Sequence, residues 1–173
     1  RADLDLRLTS GELARFAALT GQPLGGAAEV RLAGTVMPVS GAFDLAVEAV
    51  TQDLSVGVPQ ADALLVGRTD LAIAAVRDAA GLRLDAFSLS NPEIAAEATG
   101  TLGSQAAELS YEISLRDVAK VAPGVTGAAR SAGQARLAGG VWQVDATATG
   151  PFDTALTIAG PVTGPMTDIV LSA

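Results

Sequence analysis

The feature that most constrains this chain is a hydrophobic period of two. Leu4, Leu6 and Leu8 alternate with Asp3, Asp5, Arg7 and Thr9. Phe43, Leu45, Val47 and Ala49 alternate with Asp44, Ala46 and Glu48, and Leu109, Tyr111, Ile113 and Leu115 with Ser110, Glu112, Ser114 and Arg116. Successive side chains of a strand point to opposite faces, so an apolar residue at every second position gives each strand one apolar and one wet side. Val30, Leu32 and Val36 share the alternation, as do Leu54, Val56 and Val58, then Leu71 and Ile73, Leu82 and Leu84, and Leu156 and Ile158; Ile169 and Leu171 close it. Turn chemistry separates the runs, at Gly25-Gly26, Ser40-Gly41, Ala80-Gly81, Asn91-Pro92, Gly139-Gly140 and Gly150-Pro151. The expectation is an all-β chain of about ten short strands in an antiparallel-type sheet with one solvated face.

Three stretches depart from the alternation. Residues 10–20 place Leu13, Phe16, Ala17 and Thr20 at helical spacing, and Thr9 with Glu12 reads as a capping box. Residues 115–122 repeat the arrangement, with Ser114 and Asp117 as the box and Pro123-Gly124 as the stop. Gln60 to Val66, ended by Gly67, is a third candidate. Helices this short are expected to cap the end of a sheet.

Composition narrows the chemistry. The chain has 173 residues with no His and no Cys, which excludes Ser-His-Asp and Cys-His catalysis, imidazole or thiolate metal sites, and disulfides. Lys120 is the single Lys, and the net charge is −8, a poor match for a nucleic-acid backbone or an anionic membrane surface. Hydrophobic residues make up 49 % but aromatics only 3 %, so the apolar faces are built from small aliphatic side chains that suit a thin layer or a shallow surface. The chain begins at Arg1 and holds no apolar run of transmembrane length, so it is expected to be an internal stretch of something longer.

Shifted by 105 positions, the sequence matches itself. Leu4, Leu6 and Leu8 fall on Leu109, Tyr111 and Ile113; Thr9 and Glu12 on Ser114 and Asp117; Arg31-Leu32-Ala33-Gly34 on Arg136-Leu137-Ala138-Gly139; Val36 and Val39 on Val141 and Val144. After four further residues Gly41, Phe43, Asp44 and Ala46 meet Gly150, Phe152, Asp153 and Ala155. The chain is therefore read as a first β repeat unit, 1–105 (helix about 10–20), and a partial second unit, 106–173 (helix about 115–122), in one continuous segment. Units that cannot close their own sheet bury their ends against neighbours, giving a quasi-one-dimensional stack with exposed edges where it is cut.

With the cap, the helix and the following Pro-Leu-Gly-Gly in view, the chain resembles a known family. DLRLTSGELARFAALTGQPLGGAAEVRLAG, QADALLVGRTDLAIAAVRDAAGLRLDAFSLSNPEIAAEATGTL and ISLRDVAKVAPGVTG are similar to the middle of the TamB family, in the AsmA-like group of bacterial envelope proteins; GPFDTALTIAGPVTGPMTDIVLSA is similar to its strand–Gly–strand–Pro units. The abundance of Ala, Gly and Arg resembles the alphaproteobacterial branch. The resemblance implies an elongated, curled β-sheet, open as a groove or folded like a taco, within an inner-membrane-anchored protein that crosses the periplasm. It further implies phospholipid carriage between the membranes, a link to outer-membrane protein assembly, and an outer-membrane barrel partner, TamA, contacted through regions outside this chain. Neighbouring repeats of the same chain are the other protein partner.

On that reading the groove is lined by Leu4, Leu6, Leu8, Val30, Leu32, Val36, Phe43, Leu45, Val47, Leu54, Val56, Leu71, Ile73, Leu82, Leu84, Leu109, Tyr111, Ile113, Leu137, Val141, Leu156 and Ile158. It takes acyl chains, whose exposure to water costs about 0.8 kcal/mol per CH₂. From the residues alone the same alternation also describes a dry core between two sheets, as in a structural or adhesive β-repeat module with no ligand. No catalytic, cofactor or metal residue is expected. Asp44 and Glu48, or Asp78 and Asp85, form acid pairs that alternation leaves solvated; Asp3-x-Asp5 lacks the rest of a calcium loop. Arg31 and Arg136 recur at matching positions, as lipid-phosphate contacts or as charges guarding a strand edge. Trp142 is either a rim anchor or a cross-strand packing residue.

Overall fold

The computed structural model describes residues 1–17, 21, 23–103 and 106–162. The strands are β1 (Ala2–Ser10), β2 (Gly25–Met37), β3 (Ala42–Ser55), β4 (Arg68–Asp78), β5 (Gly81–Ser90), β6 (Ile94–Leu102), β7 (Ala106–Leu115), β8 (Ala129–Ala138), β9 (Val141–Thr149) and β10 (Ala155–Val162). They form one antiparallel sheet in chain order, each strand hydrogen-bonded to its predecessor. The all-β expectation holds. The sheet is open, as a groove requires, and not strongly curled, where the family resemblance implied a curled sheet. Ile169 and Leu171 lie outside the described residues.

The helical expectations shrink. Residues 10–20 hold the last residue of β1, a four-residue 3-10 segment, Leu13–Phe16, and the helical Ala17, whose carbonyl accepts from the Gly21 amide (2.9 Å); positions 18–20 lie outside the described residues. The Thr9–Glu12 box does not form. The Glu12 amide instead donates to Ser10 Oγ (3.3 Å), and its carboxylate pairs with Arg15 (2.9 Å). The second stretch is a 3-10 segment, Val118–Lys120, with Asp117 itself as the cap; its carboxylate accepts from the amides of Ala119 and Gly127, both at 3.0 Å. Ser114 stays in β7. In both places the strand runs further than the helical spacing suggested. Among the described residues the one α-helix is α1 (Pro59–Leu64), which opens on Pro59 where a missing N–H costs nothing.

Connections alternate between the two ends of the sheet. One end carries tight turns at 38–41, 79–80 and 139–140; the other carries α1 and every 3-10 segment. The turn at Gly139-Gly140 has φ of 61° and 80°, the pair of positive values a two-residue type I′ hairpin demands and glycine supplies without steric cost. At the helix-bearing end, Asn91 ties its own connection to α1 and β4. Its Nδ2 donates to the Leu64 carbonyl (2.8 Å) and Thr69 Oγ1 (2.9 Å), and its Oδ1 accepts from the amides of Glu93 (2.8 Å) and Ile94 (2.9 Å).

Cross-strand partners share a face, so the pairing registers assign every side chain to one side or the other. Leu6 faces Leu32, Leu32 faces Val47 and Val47 faces Ile73; the row continues through Phe87, Ala98, Tyr111, Gly133, Ala146 and Ile158. The opposite face holds Asp5, Arg31, Glu48, Asp85, Glu97, Glu112, Gln134 and Asp145. Burial follows this division. Ala28, Ala49, Thr51, Thr69, Ala107 and Ala146, all on the apolar side, are buried, and among the described residues no large side chain is fully enclosed.

Candidate functional site: one apolar face of the sheet

Of the residues expected to line a groove, Leu4, Leu6, Leu8, Val30, Leu32, Val36, Phe43, Leu45, Val47, Leu71, Ile73, Leu82, Leu84, Leu109, Tyr111, Ile113, Leu137, Leu156 and Ile158 fall on a single face. Leu54 rejoins it after an irregularity in β3. Asp53 takes a left-handed φ of 50°, the register with β2 slips between Gly25 and Ala27, and the alternation changes from odd to even positions. Val56 lies just beyond the strand, its amide donating to Asp62 Oδ1 (2.7 Å). Val141 is a correction. It pairs with Ala138 on the polar face, because the Gly139-Gly140 turn brings the next residue, Trp142, opposite Leu137 on the apolar one. The 105-residue match carried Val36 onto Val141 without allowing for that turn. Trp142 is thus a cross-strand partner of Leu137. The match of Phe43 to Phe152 also joins unlike places: Phe43 pairs with Val36 inside the sheet, while Phe152 sits in the 3-10 segment Pro151–Asp153 and is 84 % exposed.

Several face residues escaped the sequence reading. Phe87 and Leu89 occupy odd positions while Leu82 and Leu84 occupy even ones, since β5 carries a bulge between Leu84 and Phe87. The readable signal was the run Phe87-Ser88-Leu89-Ser90, which alternates but out of phase with its own strand. Ile94, Leu102, Leu115 and Val144 lie on the face as well.

Across ten strands spaced about 4.8 Å apart and roughly 30 Å long, the apolar face covers on the order of 1,000 Å². Nothing in the described chain lies over its middle. The accessible surface is 11081 Å², against roughly 7,800 Å² for a compact chain of this mass. That excess is larger than the residues outside the described set would supply at full extension, about 2,500 Å². It is what a sheet missing a second layer exposes. Two residues at the free edge show it most: Leu6 is 57 % and Leu8 47 % exposed. The alternative of a dry core between two sheets of this chain is not what the fold contains, since there is one sheet.

The polar face is laced with ion pairs: Arg136 with Glu108 (2.9 Å) directly across the β7–β8 ladder, Arg83 with Asp85 (2.6 Å), Arg68 with Asp70 (2.7 Å) and, more loosely, Arg31 with Asp5 (3.8 Å). Arg31 and Arg136 therefore meet carboxylates on the side away from the apolar face, and β2 and β8 are interior strands, so neither guards an edge. Asp44 and Glu48 lie exposed on the polar face. Asp78 caps the Ala80 amide (2.8 Å) while Asp85 is held by Arg83, so the two serve separate local contacts. A shallow depression of about 440 Å³ on the polar side, lined by Ala132, Gln134, Asp145, Thr147 and Thr157 among others, is a gap between short side chains.

Within the apolar face the polar exceptions are few. Tyr111 Oη and Ser131 Oγ share a hydrogen bond (3.3 Å). Thr51 and Thr69 are cross-strand partners at the helix-bearing end; Thr69 is held by Asn91, while Thr51 Oγ1 is buried without a partner. Among the described residues no group of three or more acidic, His or Cys side chains is placed to hold a metal ion, and no helix is long and apolar enough to cross a membrane. Compared with family profiles, with curated proteins and with solved structures, the chain gives no match.

Proposed function

We propose that this chain is a stretch of an apolar surface along which phospholipid travels between the inner and outer membranes. The observation that carries the reading is the continuous apolar face of ten strands, left uncovered by the described residues over an area well beyond the few hundred Å² that ordinary monomers expose. An acyl chain of about sixteen carbons laid on it with one side covered gains roughly 6 kcal/mol, enough to retain lipid. Because the floor is built from Leu, Val, Ile and Ala with little to single out one point, that gain is similar all along, which suits sliding. The periplasmic location, the inner-membrane anchor, the link to outer-membrane protein assembly and the TamA partner rest on the TamB-family resemblance of the sequence.

The test is mass spectrometry of lipid carried through purification by the parent and by a variant with Leu45→Asp and Val47→Asp. Phospholipid in the parent that is lost from a still-folded variant supports the proposal. A lipid-free parent that excludes hydrophobic dyes would favour the structural or adhesive module instead.

A further inference from the structure

The apolar face carries a single charged side chain among the described residues. Arg77, the penultimate residue of β4, pairs with Phe43 on β3 and Leu82 on β5, both of the apolar face, so the registers on its two sides agree in placing it there. It is exposed and makes no ion pair, whereas Arg68 on the same strand and Arg83 on the next, both on the polar face, are each held by an Asp. Its place along the strand is equally specific. Among the described residues, Arg77 stands at the end of the sheet that carries tight turns, opposite the end that carries α1 and the 3-10 segments. Among the described residues, nothing at that end stands in the way of a polar head reaching water.

We infer that Arg77 receives the phosphate of a phospholipid whose acyl chains lie on the apolar face, the guanidinium donating a pair of charge-assisted hydrogen bonds to phosphate oxygens. The inference rests on the proposed lipid-bearing role of the face and adds to it a chemical selectivity and an orientation: heads at the turn end, chains running toward α1. Charge complementarity commits the occupant, since a lone unpaired cation among aliphatic side chains matches an anionic head attached to an apolar tail.

Binding is read by isothermal titration calorimetry, since the single Trp, Trp142 on β9, stands five strands from Arg77. The protein is titrated with dodecyl phosphate, dodecanol and inorganic phosphate below micelle-forming concentrations, in the parent, Arg77→Gln and Arg77→Lys, each verified as folded by circular dichroism. The expected result is dodecyl phosphate binding about three- to tenfold tighter than dodecanol in the parent. The preference should vanish in Arg77→Gln and survive in part in Arg77→Lys, with inorganic phosphate alone silent. Equal binding of both amphipaths to the parent, unchanged in Arg77→Gln, would overturn the phosphate role while leaving the apolar face as a lipid surface. Inorganic phosphate competing as strongly as the amphipath would make Arg77 a free-anion site and overturn it as well. Failure of either amphipath to bind the parent would remove the lipid-bearing face and this inference with it.

Discussion

At the scale of single residues, hydrogen bonds hold the connections and ion pairs decorate the surface. Asp117 accepts from two backbone amides, of Ala119 and then Gly127, and these hold its carboxyl below the ordinary value; the Gly67 amide and then Gln52 do the same for Asp53. A carboxyl whose folded value is depressed contributes stability above its unfolded value, near 4, and loses that contribution as pH falls through the folded value. Protection of the Ala119 and Gly127 amides, relative to their intrinsic exchange rates, should therefore fall as pH drops below about 4, and Asp117→Ala should show that low protection at every pH. The exposed Arg136–Glu108 pair is a different case. Such pairs are worth about 0–1 kcal/mol, so Arg136→Ala should leave the denaturation midpoint nearly unmoved. Gly34 is less forgiving: with φ at 144°, a Cβ there would run into the Asp44 carbonyl of the paired strand. Gly34→Val is expected to cost about 2 kcal/mol or more by chemical denaturation.

At the scale of elements, the bulge in β5 decides which side chains reach the apolar face. Phe87→Asp should abolish binding of an apolar dye while Ser88→Asp, one position on and facing water, leaves it intact; equal effects would mean the phase change in β5 is wrong. This bulge also marks where the sequence stops being legible. Ten strands, their turns and most of the face follow from alternation, because burial on one side leaves a period of two in the residues. Bulges and two-residue turns shift that phase without leaving a composition of their own, which is how Phe87 and Leu89 were passed over and Val141 was placed on the wrong side. The helical spacing of Leu13 and Phe16, or of Val118 and Val121, is equally compatible with a single 3-10 turn, and only the hydrogen-bond partners of Ser10 and Asp117 distinguish the two. The unpaired state of Arg77 was not legible either, since it depends on which strands flank it.

At the largest scale, the deciding quantities among the described residues are one layer and two edge strands, β1 and β10. The edges are unequal. β10 carries Pro161, which offers no N–H to an incoming strand, whereas β1 has no proline and shows Leu6 and Leu8 at its margin. Self-association should begin at β1, so Leu6→Lys is expected to lower the weight-average mass measured by sedimentation at high concentration. A replacement on β10, such as Thr157→Lys, should change it less.

The strictly sequential strand order has a consequence for how such a molecule is made and lengthened. Each strand finds its partner in the segment just before it, so a chain emerging N-terminus first can zip up as it arrives, with no strand waiting for a distant mate. By the same logic, inserting a hairpin of two strands extends the sheet by about 10 Å, preserves the direction of the chain and leaves every other pairing in place. Reach becomes a property set by counting hairpins, independent of the chemistry carried on the face.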